Sequence, residues 1–281
     1  MSATASPFPF NDLPLELQRE IFVAAADLHP GSALRLVLVA RKVYSWIQPL
    51  IYETVVLGTT DTALFLRTMD TLPIDFLALH VRNLCLSVSV GARDALKILR
   101  TCTAVEDLAF WINGLDTRHL GLLVSAINNL ALQRLSIEVM HFRRLLHDIP
   151  TGSARWIDNL THLDLIFWTH ENSPLIPHLD RLPLLTHLSL RLLHSHVDEE
   201  AIHVVLRACR HLRIMVLFDA SEMLEETVWH ADPRVVYLAY PLTPVREWEE
   251  QVKRSLNNTW ALAEELVRRH AIEQAASAPA Q

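Results

Sequence analysis

Fifteen histidines stand in this chain of 281 residues, and His194-Ser195-His196-Val197-Asp198 places two imidazoles and a carboxylate within five positions. Imidazole nitrogens and carboxylate oxygens are zinc ligands, so this spacing raises a metal-dependent hydrolysis built on His194, His196 and Asp198. Metal-holding phrases of this kind continue with a third histidine inside a glycine-rich loop. Here the next residue is Glu199, and the segment falls between a strand pattern and an acid-started helix. Asp198 is then more simply a helix cap or a first-turn acid. His162 and His187, with Asp164 close by, recur in the same Thr-His-Leu wording, and two histidines with one acid fall short of a structural zinc site. Cys85, Cys102 and Cys209 show no metal spacing, and Cys102 and Cys209 read as small buried residues at helix ends. No metal and no cofactor are expected.

Other catalytic phrases are missing. No phosphate-cradling glycine loop, no Gly-x-Ser-x-Gly elbow and no His-Glu-x-x-His helix occurs, and six glycines in the whole chain leave few tight backbone cradles. The expectation is a protein without intrinsic enzyme activity. A formal charge of −7 lacks the basic footprint that phosphate neutralisation demands, so nucleic acid is not an expected partner. The basic cluster of Arg143 and Arg144, flanked by His141 and His147, reads as a solvated helix face. No apolar run reaches the roughly 18 residues of a membrane span, and the start MSATASPFPFNDLP does not read as a signal peptide. With an odd number of cysteines, the expectation is an intracellular protein, cytoplasmic or nuclear, with no membrane partner.

The elements that position these residues follow from a recurring phrase, an aliphatic residue followed by others three and five positions later. Its copies are Val81/Leu84/Leu86, Val105/Leu108/Phe110, Leu132/Leu135/Ile137, Leu160/Leu163/Leu165, Leu185/Leu188/Leu190, Leu212/Met215/Leu217 and Val235/Leu238/Tyr240, with a looser one at Tyr52/Val55/Leu57. Successive starts lie 24, 27, 28, 25, 27 and 23 residues apart, inside the roughly 20–29 residue period of leucine-rich repeats. Between phrases, segments 93–102, 116–130 and 198–209 have helical periodicity. The expected fold is α/β: a solenoid of parallel strands with helices on the convex side. The asparagine that usually follows the third aliphatic appears at Asn113 alone, so the repeats are irregular.

Strand alternation points the aliphatics inward and the residues between them to the concave face, in columns about 4.8 Å apart from strand to strand. The columns are Asn83, Asp107, Arg134, His162, His187, Ile214 and Tyr237; then Cys85, Ala109, Ser136, Asp164, Ser189, Val216 and Ala239; then Ser87, Trp111, Glu138, Ile166, Arg191, Phe218 and Pro241. Large aromatics beside arginines are the composition of interaction hot spots. Asp107, Trp111, Arg134, His162, Asp164, Ile166, His187 and Arg191 are therefore the candidate target-binding residues. Ile214 and Val216 have a second reading, as residues covered by the C-terminal helix.

Outside the repeats, residues 1–10 and 271–281 read as loose tails. Residues 11–52 carry three short helical patterns: one from Pro14 through Leu17, Ile21, Ala24 and Leu28, one capped by Ser32 and carrying Leu34 to Val39, and one ending at Pro49. The repeat domain occupies 53–243. A single helix over 244–270, with Trp248, Val252, Leu256, Trp260, Ala263 and Val267 on one stripe, is expected to cap the open end of the solenoid.

The N-terminal bundle resembles an F-box through Leu13-Pro14-Leu15-Glu16-Leu17, Ile21-Phe22, Leu34 to Val39, Arg41-Lys42 and Pro49-Leu50-Ile51-Tyr52. It is most similar to the F-box variety at the head of fungal, basidiomycete-type leucine-rich-repeat proteins, and departs from many F-boxes in having Val43 where they carry tryptophan, with Trp46 one turn later. The resemblance implies a substrate receptor of a Skp/cullin/F-box ubiquitin ligase. Leu13, Pro14, Leu17, Ile21, Leu38 and Val39 would then face the Skp-type adaptor, which links to a cullin, while the repeats hold a protein target. The alternative is an interaction scaffold whose N-terminal helices merely cap the solenoid.

Overall fold

The computed structural model describes residues 10–28, 31–113, 115–147, 154–167, 176, 178–192, 199–219, 231–253 and 258–277. His194, His196 and Asp198, and residues 1–9 of the expected N-terminal tail, lie outside them. The chain divides into two compact units, Met1–Thr54 and Val55–Gln281.

The first unit contains a 3-10 turn Phe10–Asp12 and helices α1 (Leu15–Leu28), α2 (Ser32–Leu36) and α3 (Arg41–Glu53). Gln18 joins two of them: its side-chain amide donates to the Leu13 carbonyl at 2.8 Å, and Lys42 Nζ donates to its Oε1 at 2.8 Å. Phe22 meets Phe10 edge-on at 5.6 Å and Trp46 at 6.2 Å, and the Lys42 ammonium lies 5.1 Å from the Trp46 ring centroid. Among the described residues of this unit, the buried apolar side chains are Val43 and Ile47.

Two local expectations change. Gly31, at φ 81°, forms the N-cap of α2 and Ser32 is its first helical residue, so backbone freedom rather than a serine hydroxyl starts the helix. Helix α3 does not stop at Pro49 but runs through it to Glu53. Burial of Val43 and Ile47 on one face of α3 offsets the backbone hydrogen bond that Pro49 cannot make.

Strand β1 (Thr54–Leu57) starts on the last residue of the first unit, and α4 (Asp61–Met69) and α5 (Phe76–His80) follow it in the second. There follow β2 (Asn83–Leu86), α6 (Ala92–Thr101), β3 (Asp107–Phe110), α7 (Thr117–Asn128), β4 (Arg134–Glu138), α8 (Val139–His147) and β5 (His162–Phe167). A 3-10 turn Leu179–Arg181 then leads to β6 (His187–Leu192), α9 (Glu199–Ala208), β7 (Ile214–Asp219) and β8 (Val235–Ala239). The eight strands form one open sheet in sequential order, and the pairs from β2 to β8 are parallel. Strand, α-helix, next parallel strand recurs from β2 to β5 and again from β6 to β7.

Register follows the aliphatic phrase through six copies. Leu84, Leu108, Leu135, Leu163, Leu188 and Met215 are paired in one row, and Leu86, Phe110, Ile137, Leu165, Leu190 and Leu217 in another. All are buried. The residue before each strand continues the ladder: the amides of Glu106, Gln133, Thr161, Thr186 and Arg213 donate to the carbonyls of Arg82, Glu106, Gln133, Thr161 and Thr186 respectively. Side chains along this row bond too, from Arg82 to Glu106 at 2.8 Å and from Gln133 to Glu106 at 3.1 Å. A polar spine thus runs along the N-terminal ends of the strands.

The seventh copy is out of phase. Val235 pairs with Met215 and Tyr237 with Leu217, so Val236, Leu238 and Tyr240 join the sheet face of Ile214, Val216 and Phe218 and Tyr237 does not. An odd slip exchanges the two faces of a strand.

Helix α7 is capped by Asp116, whose carboxylate accepts from the His119 amide at 2.7 Å. Helix α8 carries the basic cluster, and its face is only partly solvated. Arg144 and His147 are exposed, whereas His141 turns inward against Phe110, 5.7 Å between ring centroids. Among the described residues no helix is long and apolar enough to cross a membrane.

Candidate recognition surface

The eight predicted target-binding residues fall in three adjacent columns of one sheet face. Asp107, Arg134, His162 and His187 are cross-strand neighbours; Asp164 lies beside Ser136 and Ser189; Ile166 and Arg191 are paired. Trp111 completes the group just after β3, its indole N–H donating to Ser136 Oγ at 2.8 Å.

This face is not open to solvent. Asp107, Trp111, Asp164, Ile166, His187 and Arg191 are buried, and Arg134 and His162 are half-buried. The cover is the C-terminal segment, which forms two helices rather than one, α10 (Pro244–Val252) and α11 (Thr259–Ser277), the second entering the expected tail. They lie across the sheet face instead of capping the end of the array. Packing explains why: Ile214, Val216, Phe218, Val236 and Leu238 make the β7 and β8 end of this face apolar, and Trp260, Ala263, Leu266 and Val267 of α11 bury it. The second reading of Ile214 and Val216 therefore holds. Trp248 of α10 packs with Cys85, Ala109, Trp111 and Ile166.

Beside that apolar group the ground beneath α10 is polar. Asp164 accepts from Ser136 Oγ at 2.7 Å, from Ser189 Oγ, and from Arg191 Nε at 2.8 Å to each carboxylate oxygen. Arg191 Nη2 donates to Glu247 of α10 at 2.8 Å, and Glu247 also accepts from Gln251 and Thr259. The guanidinium lies over the Phe218 ring, 4.2 Å from its centroid. Burial opposes its charge, but Asp164 and then Glu247 outweigh burial and hold its pKa above the ordinary arginine value. Its Nη1 has no hydrogen-bond partner among the described residues.

Trp248 Nε1 donates to Asp107 Oδ1 at 3.2 Å, and Arg134 Nε meets Asp107 Oδ2 at 3.0 Å. Burial pushes the Asp107 carboxyl up to about 6, against the opposing pull of Arg134 and the indole N–H. Next to it, the His162 and His187 rings stack 4.1 Å apart and 5° from parallel, with Trp260 edge-on to both at 5.3 and 5.5 Å. Burial pulls His162 down to about 3, helped by His187 and Arg134. His187 is also lowered by burial, although Glu264 of α11, 3.3 Å from its Nε2, works the other way. Asp107, Arg134, Ser136, His162 and Asp164 line a cavity beneath Trp248, Gln251 and Trp260 with room for about one water molecule.

Sequence reasoning missed Glu247, Trp248, Gln251, Trp260 and Glu264 as parts of this surface. Their signal was present as two tryptophans on one helical stripe, beside concave columns that turn apolar at Ile214, Val216 and Phe218.

Elsewhere, the described residues contain no group of three His, Cys, Asp or Glu side chains placed to hold a metal ion. Cys85, Cys102 and Cys209 are buried free thiols, and burial before any other cause pushes them up to about 12, 12 and 11. Such thiols are poor nucleophiles near neutral pH. The predicted adaptor-facing residues behave oppositely to the sheet-face set: Pro14, Leu17, Ile21, Leu38 and Val39 are exposed and Leu13 is half-buried. No family model and no curated protein matches this chain.

Proposed function

We propose that this protein is a non-catalytic substrate receptor of a Skp/cullin/F-box type ubiquitin ligase, acting in the cytoplasm or nucleus. In this reading the first unit is the F-box-like module, and the second is an irregular leucine-rich-repeat domain that holds a protein target.

The observation that carries the reading is the apolar exposure of the first unit. Leu17, Ile21, Leu38 and Val39 are 45, 45, 84 and 62 % exposed, while the unit's own core contains Val43 and Ile47. Scattered exposed leucines need no explanation, but several at the positions that the F-box resemblance assigns to the adaptor favour a docking role. No bond is made or broken by the chain itself, which brings target and conjugating machinery together.

The test is co-purification of the full chain with a Skp-type adaptor. Capture is expected, and Ile21→Glu combined with Leu38→Glu should weaken it tenfold or more, the effect of about 1.4 kcal/mol, without lowering the melting temperature, because both sites are exposed. Absence of capture, or capture indifferent to the two substitutions, would remove the ligase role and leave an interaction scaffold.

A further inference from the structure

The two covering helices lie over unlike ground. Helix α11 buries apolar side chains of β7 and β8, which water cannot replace, so it belongs to the core. Beneath α10 an apolar group of Cys85, Ala109, Trp111 and Ile166 stands beside Asp107, Arg134, Ser136, Asp164 and Arg191, five side chains that water can solvate. Burying ions gains little over an apolar interior, so a permanent cover has no need of so polar a face. Arg191 is also left incomplete by α10: Glu247 takes Nη2, and Nη1 stays without a hydrogen-bond partner among the described residues.

We propose that α10 occupies the concave face in place of the protein target, and that the target offers an acidic residue directly followed by an aromatic one, as Glu247-Trp248 does. This rests on the receptor reading of the repeat domain. The carboxylate would reach Arg191, which Asp164 holds from behind through both oxygens. The indole would stack where Trp248 now packs, against Cys85, Ala109, Trp111 and Ile166, with its N–H on Asp107. Target binding and release of α10 are then one exchange, with α11 still in place.

The probe is a fluorescent peptide of residues 243–253, TPVREWEEQVK, titrated against the full chain and followed by anisotropy. The double variant Glu247→Ala/Trp248→Ala loosens the internal helix and is expected to bind the peptide. The wild-type chain should bind at least tenfold more weakly, because its own α10 competes at an effective concentration on the order of millimolar. Placing Glu247→Gln or Trp248→Ala in the peptide, where no folding is at stake, should each cost about tenfold or more in affinity. A folded double variant that ignores the peptide, equal binding by wild type, or indifference to the peptide substitutions overturns the proposal. So does a double variant that no longer folds, since α10 would then be core. Failed adaptor capture with peptide binding intact removes the ligase role and leaves this surface standing.

Discussion

Asp107 and His162 are cross-strand neighbours but one, flanking Arg134, and acid acts on them in opposite directions. His162 folds with a pKa near 3 against about 6.5 in an unfolded chain, so the unfolded state binds the extra proton between those values. Its contribution is full above pH 6.5 and is lost as pH falls, by about 1.4 kcal/mol per unit at most. Asp107 folds with a pKa near 6 against about 3.9 unfolded, so between those values the native state binds the extra proton, and acid relieves the buried charge. In the wild type the two slopes largely cancel between pH 6 and 4. Asp107→Asn removes the relief and should uncover the histidine slope, giving a steeper loss of urea stability from pH 6 to 4 than wild type. Parallel stability curves for the two proteins would refute this pairing. The columns of this face were readable at this scale through the fifth repeat because polar or small residues alternate with aliphatic ones there, and the spacing alone carried the phase through Ile214-Met215-Val216-Leu217-Phe218. In Val235-Val236-Tyr237-Leu238 no polar residue sets the phase, and the assignment failed at that strand.

Helix starts and stops were the least readable elements. Helix α2 depends on Gly31 at φ 81°, where an added Cβ meets nothing within 4 Å but the backbone conformation itself disfavours any other residue. Gly31→Ala should therefore destabilise the first unit by about 1 kcal/mol, and Gly31→Asn by less, because asparagine tolerates the left-handed region. Equal melting temperatures for both variants and wild type would show that the turn does not constrain α2. The break between α10 and α11 was hidden for a different reason. Trp248, Val252, Leu256 and Trp260 recur every fourth residue, so the apolar stripe of the sequence runs unbroken from one helix into the next. Pro49 was misread as a stop because its missing N–H is a local fact, whereas burial of Ile47 beside it is a tertiary one.

A repeat array in which each unit touches only its neighbours unfolds piecemeal, roughly as a sum of nearest-neighbour terms. Here the covering helices reach across that order. Trp260 spans β5 to β8 through His162, His187, Ile214 and Leu238, and Trp248 reaches back to Asp107 of β3. The second unit should accordingly unfold in one transition, and Trp260→Ala should lower its urea m-value by letting the last strands open first. An unchanged m-value with only a shifted midpoint would mean that the array is cooperative without the strap. The period of the phrase announced the repeating strands, because local alternation encodes them. The covered face was not announced, since nothing in a local pattern says which distant segment will lie upon it.

The bond between Trp248 and Asp107 joins residues 141 positions apart. Synthesis proceeds from the N-terminus at ~5–20 residues per second, so on the order of ten seconds pass between emergence of the third strand and of the indole that covers it. During that interval the nascent chain presents the apolar columns of its later strands and the Asp107 carboxylate uncovered on the ribosome. A growing chain of this design needs shelter until α10 and α11 arrive, and chaperone occupancy on ribosomes stalled just before Pro244 is made should exceed that on ribosomes stalled after α11 has emerged.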